Sequence, residues 1–186
     1  MKSLITLTLI TASFIACNVN AKSVADLEVA DNIDIAGQTL QLNGAGVRSK
    51  FFMDLYVGSL YTPSVVSDTQ AVLDAPIAVI RLNITSGMIT SDKMHDAIIE
   101  GFEDATDGRV EPIQPQIDAF MALFSDEIIQ GDQFTLEAKK MFGVTAYKNG
   151  KPQATIEGEP FRQALLMIWL GDEPAQKSLK KAMLDN

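Results

Sequence analysis

The sequence predicts an α+β protein, a mostly antiparallel sheet with helices laid over one face. Two observations predict it. Strand-like segments come first, helices follow, and a second set of strands and then helices closes the chain, so the order does not alternate as in a doubly wound sheet. The strand segments are short and alternate apolar with polar residues, whereas the helical ones carry apolar stripes at three-to-four spacing. No internal repeat, low-complexity tract or long linker interrupts them, which predicts one domain over residues 22–186.

Residues 1–21 read as an export leader. Met1-Lys2 supplies the positive start, residues 4–16 are apolar or small without charge, and Val19-Asn20-Ala21 offers small residues where a signal peptidase cuts. Cleavage after Ala21 predicts a periplasmic or secreted protein. The apolar run is too short for an integral membrane span. The alternative is lipidation at Cys17, because Ile15-Ala16-Cys17 resembles the end of a lipoprotein box, although Phe14 stands where a small aliphatic residue is usual.

Along the mature chain, residues 27–35 and 38–42 alternate as short strands around a turn at Gly37. Asn43-Gly44-Ala45-Gly46 reads as a flexible break. Residues 47–61 read as a strand pair or one bent strand, rich in residues that suit a pleated surface. A brief helix falls near 67–73 and a strand at 77–84. Thr90 or Ser91 is placed to cap the next helix, with Asp92 in its first turn and Met94, Ile98 and Phe102 on one apolar face. Pro115 opens a further helix whose buried stripe is Ile117, Phe120, Met121, Phe124 and Ile128. A strand follows at 134–138. Two more, at 144–147 and 153–156, flank the hairpin signal Asn149-Gly150. Residues 159–170 are apolar nearly all round and predict a buried helix, stopped by Gly171 and Pro174. Residues 175–184 form a last amphipathic helix.

The charge excludes some classes. Aspartate and glutamate total 24 against 15 lysines and arginines, a net −9; Lys2 is the leader's only charge, so the mature chain carries −9 − 1 = −10. Nucleic acid would repel such a chain, and so would anionic lipid. One cysteine allows no internal disulfide and one histidine no histidine-rich metal site, so no metal or cofactor is expected. No Gly-x-Ser-x-Gly elbow exists, and Gly44-Ala45-Gly46 lacks the rest of a dinucleotide fingerprint. His95 reads as a partly exposed helix residue beside Asp92 and Asp96. Glu100, Glu103, Asp104 and Asp107 read as a solvated helix face.

Arg48 stands out because it enters the apolar run Phe51-Phe52-Met53-Asp54-Leu55-Tyr56. A buried guanidinium keeps its charge and needs a partner. Either it makes a structural salt bridge, to Asp54 or Glu157, or it anchors a ligand carboxylate. Tyr56 and Tyr61 are five apart, so on a regular strand they point to opposite faces and only one shares a face with a given pocket.

These segments resemble a known family. Gly44-Ala45-Gly46-Val47-Arg48 and the run from Phe52 to Tyr61 resemble the strand pair of chalcone-isomerase-like proteins. Phe161-Arg162-Gln163-Ala164-Leu165 through Ile168-Trp169-Leu170-Gly171-Asp172-Glu173-Pro174 resembles their late helix, and residues 178–184 their terminal one. The exported bacterial branch is the nearer match. The resemblance implies an open-faced β-sandwich with a helical layer over the large sheet and a ligand cleft between them. It also implies that Arg48 and Tyr56 match the pair that holds a carboxylate in the fatty-acid-binding members. The plant enzymes' catalytic tyrosine and asparagine fall on Thr90 and Ala97, and their late threonine has no match near Lys151-Pro152.

No catalytic residue is therefore assigned. The expected function is non-catalytic binding of a fatty acid or similar small apolar carboxylate, with Arg48, Tyr56, Tyr61 and Thr90 as candidate contacts. The alternatives are an intramolecular lyase or isomerase acting on an enone, and an envelope interaction module without a ligand.

Overall fold

The computed structural model describes residues 21–184. Apart from Ala21, the leader and its Cys17 lie outside the described residues. The chain opens with a small two-stranded sheet, β1 (Ala21–Val24) and β2 (Leu27–Ala30). Seven further strands form one sheet in sequence order, every neighbouring pair antiparallel. They are β3 (Asn32–Ile35), β4 (Gln38–Lys50), β5 (Met53–Thr62), β6 (Ile77–Ile84), β7 (Gln133–Lys139), β8 (Gly143–Lys148) and β9 (Lys151–Glu157). The helices are α1 (Thr69–Asp74), α2 (Ser91–Ala105), α3 (Gln114–Met121), α4 (Glu159–Leu170) and α5 (Lys177–Leu184). The fold is thus the predicted α+β class, an antiparallel sheet with a helical layer.

Two apolar clusters sit on the sheet's two faces. On one, Tyr56, Leu60, Ile80, Leu82 and Leu136 pack under α2 to α5. Phe102, Phe120 and Phe161 join three helices there, with ring centroids 5.5–6.2 Å apart, and such pairs add about 0.5–1.5 kcal/mol each beyond burial. On the other face, Val57, Tyr61, Ile77 and Val79 pack with Val29, Ile33 and Leu40 from the N-terminal strands.

The expected flexible break at residues 43–46 is not a break. It is the middle of β4, and it holds a β-bulge. Leu42 pairs with Tyr61, but Gly44 pairs with Leu60, so Asn43 is the extra residue. An extra residue reverses which face every later side chain meets. Leu40 and Leu42 face the N-terminal cluster, yet Gly44, Gly46 and Arg48 face the helices. Asn43 is buried and holds the bulge itself. Its amide donates to Met183 O (2.7 Å) and Val66 O (2.9 Å), and its oxygen accepts from Val66 N (2.7 Å). The glycines make room for α5: a Cβ on Gly46 would lie 2.6 Å from the Ala182 Cβ, and one on Gly44 would meet the Ala182 carbonyl. Glycines at turns and glycines under a helix look alike in sequence, which is why the segment reads as a break.

The remaining elements follow their signals closely. Thr90 caps α2 through Lys93 N, and Met94, Ile98 and Phe102 are buried as its spacing requires. α3 is shorter than its stripe: it ends at Met121, Phe124 sits in a 3-10 turn and Ile128 in the loop beyond, although both are buried. Three-to-four spacing also suits a tightened turn, so it reports burial more faithfully than helix length. The acidic residues of α2 are exposed, and so is His95, 3.9 Å from Asp96.

Four hairpins turn on two residues, both at positive φ: Ala25-Asp26, Ala36-Gly37, Phe51-Phe52 and Asn149-Gly150. This is the turn whose twist matches that of the strands, and Asn-Gly is its favoured sequence.

The fully buried guanidinium is Arg162, in α4. It donates to both carboxylate oxygens of Glu159, at 2.8 Å from Nε to Oε2, and from Nη2 to Leu73 O at 2.7 Å. That bond to Arg162 is the main reason the Glu159 pKa falls to about 2, against a burial that opposes it.

Two outcomes follow from this packing. Asn43→Ala strands the buried Met183 carbonyl and the part-buried Val66 backbone groups and is expected to cost on the order of 3 kcal/mol in urea unfolding. Glu159→Gln strands Arg162 and is expected to cost about 3 kcal/mol or more at neutral pH. Because the folded-state pKa of Glu159 lies below the unfolded one, its stabilisation is complete above the ordinary carboxylate range. It drains away as pH falls towards about 2. Acid titration of the melting temperature in the wild type and Glu159→Gln should converge at the acid end.

Candidate functional site

The β4–β5 hairpin brings Arg48 and Tyr56 directly opposite each other, on the helix-covered face. Tyr56 is buried, and its hydroxyl accepts from the indole Nε1 of Trp169 in α4 at 3.0 Å. Burial raises the Tyr56 pKa above its ordinary value, and the Trp169 bond and the neighbouring Arg48 charge offset only part of that. The phenol therefore stays protonated, and its proton is donated to no described residue.

Arg48 is half-buried. Its Nη1 donates to Ser49 O at 2.9 Å and to the Gln176 side-chain oxygen at 3.0 Å. The same Gln176 oxygen accepts from Ser49 N at 2.9 Å, and the Gln176 amide donates to Ser178 Oγ at 2.6 Å. Gln176 lies just before α5, so one neutral amide ties the helix approach to the hairpin. Neither carboxylate weighed as a structural partner reaches Arg48. Asp54 accepts from Ser49 Oγ instead, and Glu157 lies on β9 at the far edge of the sheet. Among the described residues no salt bridge involves Arg48. The result is a half-buried cation whose acceptors are all uncharged.

The other two candidate residues stand apart. Tyr61 faces the N-terminal cluster on the opposite side of β5, under the guanidinium of Arg81 at 5.5 Å from its ring centroid. Thr90 is exposed at the start of α2 and is occupied as its cap, while Ala97 is exposed further along that helix. Beside Arg48, Tyr56 and Trp169 are buried and the Gln176 side-chain oxygen accepts from the guanidinium. Two open surface hollows lie elsewhere, one beside Asn32 and Gln41 and the other beside Glu103 and Asp107.

Sequence reasoning missed Trp169 and Gln176. A signal existed for the first. A lone tryptophan in a helix apolar all round must place its N–H on some acceptor, and a tyrosine is an economical one. Gln176 carried no signal, since its role depends on where the α4–α5 connection crosses the hairpin.

The family model for chalcone isomerase-like proteins matches residues 21–185, and this chain belongs to that family. Among solved structures, it is similar to the crystal structure of a fatty-acid binding protein of Arabidopsis thaliana. The TM-score is 0.65 at 15% identity, covering 87% of this chain and 93% of that one. The two share a fold. No curated protein sequence matches.

All three tyrosines, Tyr56, Tyr61 and Tyr147, have pKa values above the ordinary 10.0, the first cause in each being burial, and Tyr147 reaches about 12 beside Glu137. The unfolded chain ionises them earlier, so stability is complete below that value and falls as pH rises through it. Native protein at its ordinary tyrosine pKa should show little tyrosinate absorbance, whereas urea-unfolded chain at the same pH should be about half ionised.

Proposed function

We propose that this protein binds a fatty acid or a similar small apolar carboxylate without transforming it. The observation that carries the reading is the half-buried Arg48, whose partners are all neutral, set against a phenol with an undonated proton. An incoming carboxylate replaces the Gln176 oxygen and takes the Arg48 and Ser49 N–H groups, with Tyr56 as a third donor. Charge-assisted bonds are roughly twice as strong as neutral ones, so the exchange is favourable. The apolar tail lies along the side-chain-free floor of Gly44, Gly46 and Gly58, which α5 now covers, and α5 shifts to admit it. The fold shared with a fatty-acid binding protein supports this reading. So does the loss of the family's phenol and amide, since Ala97 has no donor for a developing enolate and the Thr90 hydroxyl is too short to replace a phenol's reach. The leader-like residues 1–21 support export, with cleavage after Ala21; N-terminal sequencing of the exported chain tests that part.

The tight seating of α5 on the glycines favours a second reading, an envelope interaction module that holds no ligand. One experiment separates the two. Trp169 is the only tryptophan and touches Tyr56, so its emission reports on the site. Fatty-acid titration should change that emission saturably, and organic extraction of mildly purified protein should yield lipid by mass spectrometry. Arg48→Ala is expected to weaken binding at least about tenfold, or 1.4 kcal/mol, and Tyr56→Phe a few-fold. Protein that extracts clean and binds no fatty acid, with Arg48→Ala altering stability alone, leaves the second reading standing.

A further inference from the structure

The β4–β5 hairpin ends in an exposed aromatic pair that the turn does not need. Phe51 is 79% exposed and Phe52 107%, with Met53 beside them. Both phenylalanines sit in the left-handed region, at φ 51° and 66°, which bulky side chains adopt reluctantly. The protein builds the same turn elsewhere with residues suited to it: Asn149 and Gly150 take φ 52° and 75°. Turn geometry therefore does not explain the Phe pair. Packing does not either, because neither ring belongs to an apolar cluster.

We infer that the Phe51-Phe52 tip inserts into the interface of a lipid bilayer. The tip is a convex knob. Two phenylalanines and a methionine offer roughly 500 Å² of apolar surface, below what a specific protein–protein interface buries, and no pocket shape is needed for a fluid boundary to receive them. Lys50 is placed to reach phosphate level, its Nζ 5.9 Å from the Phe51 ring centroid, while Asp54 is turned back onto Ser49. Met88 and Ile129 are exposed at the same end of the sheet, where the loops after β6 and before β7 meet the start of β5. The net charge of −9 removes any general attraction to anionic lipid, so apolar insertion drives the contact and zwitterionic bilayers suffice. The inference stands apart from the proposed fatty-acid binding, because vesicles without fatty acid test it.

The test is flotation of the mature chain, residues 22–186, with phosphatidylcholine vesicles at millimolar lipid. Wild type is expected to float with the vesicles and to remain bound at high salt. The double change F51N/F52G installs the favoured Asn-Gly turn. It is expected to lower partitioning at least about tenfold while leaving the melting temperature equal or higher. Three results overturn the inference: wild type that stays with the aqueous fraction, a double variant that floats as well as wild type, or a double variant that melts several degrees lower. Self-association that the double change abolishes, without vesicle binding, overturns it in favour of a second copy of the chain.

Discussion

The rest of the site depends on the side chain of Asn43. By closing a bulge in the middle of β4, it inverts the alternation of the strand and aims Arg48 at the helices rather than at the N-terminal strands. The same amide takes the carbonyl of Met183 in α5 and both backbone groups of Val66. One buried polar residue thus sets the direction of the guanidinium, the seat of the last helix and the path out of β5. A burial of this kind is tolerated only when its hydrogen bonds are met, and here donor and acceptor are both engaged.

The two guanidinium groups on the helical side are paired in different ways. Arg162 is sealed and paired with the Glu159 carboxylate, fastening the start of α4 to the end of α1 through Glu159 and Leu73. Arg48 is half open and offset only by amide and carbonyl oxygens. A buried pair that is already neutralised has little to gain from a ligand, whereas an unneutralised cation keeps that capacity. Gln176, the side-chain acceptor of Arg48, is neutral.

The hairpin carrying Arg48 and Tyr56 also carries the exposed Phe51-Phe52 turn. The turn and the Arg48–Tyr56 pair are only a few residues apart on that element. The apolar exposure at its tip and the half-buried Arg48, with its uncharged acceptors, lie on one supersecondary unit.

Much of the architecture was legible in local pattern. The Asn149-Gly150 hairpin, the Thr90 cap, the buried face of Met94, Ile98 and Phe102 and the burial of most of 159–170 each follow from short-range chemistry, and the element order then implies the α+β layering. Arg48 and Tyr56 were legible as a pair because the motif around them is contiguous. The remainder was decided by contacts far apart in sequence. Whether Gly44-Ala45-Gly46 is a break or a strand depends on α5 arriving more than a hundred residues later. The partners of Arg48 and Tyr56, Gln176 and Trp169, come from equally distant segments. Sequence by itself determined which residues must be buried and how each segment repeats, because those are local periodicities. Only the tertiary structure decided which buried polar groups meet, because hydrogen bonds between distant segments leave no period in the chain.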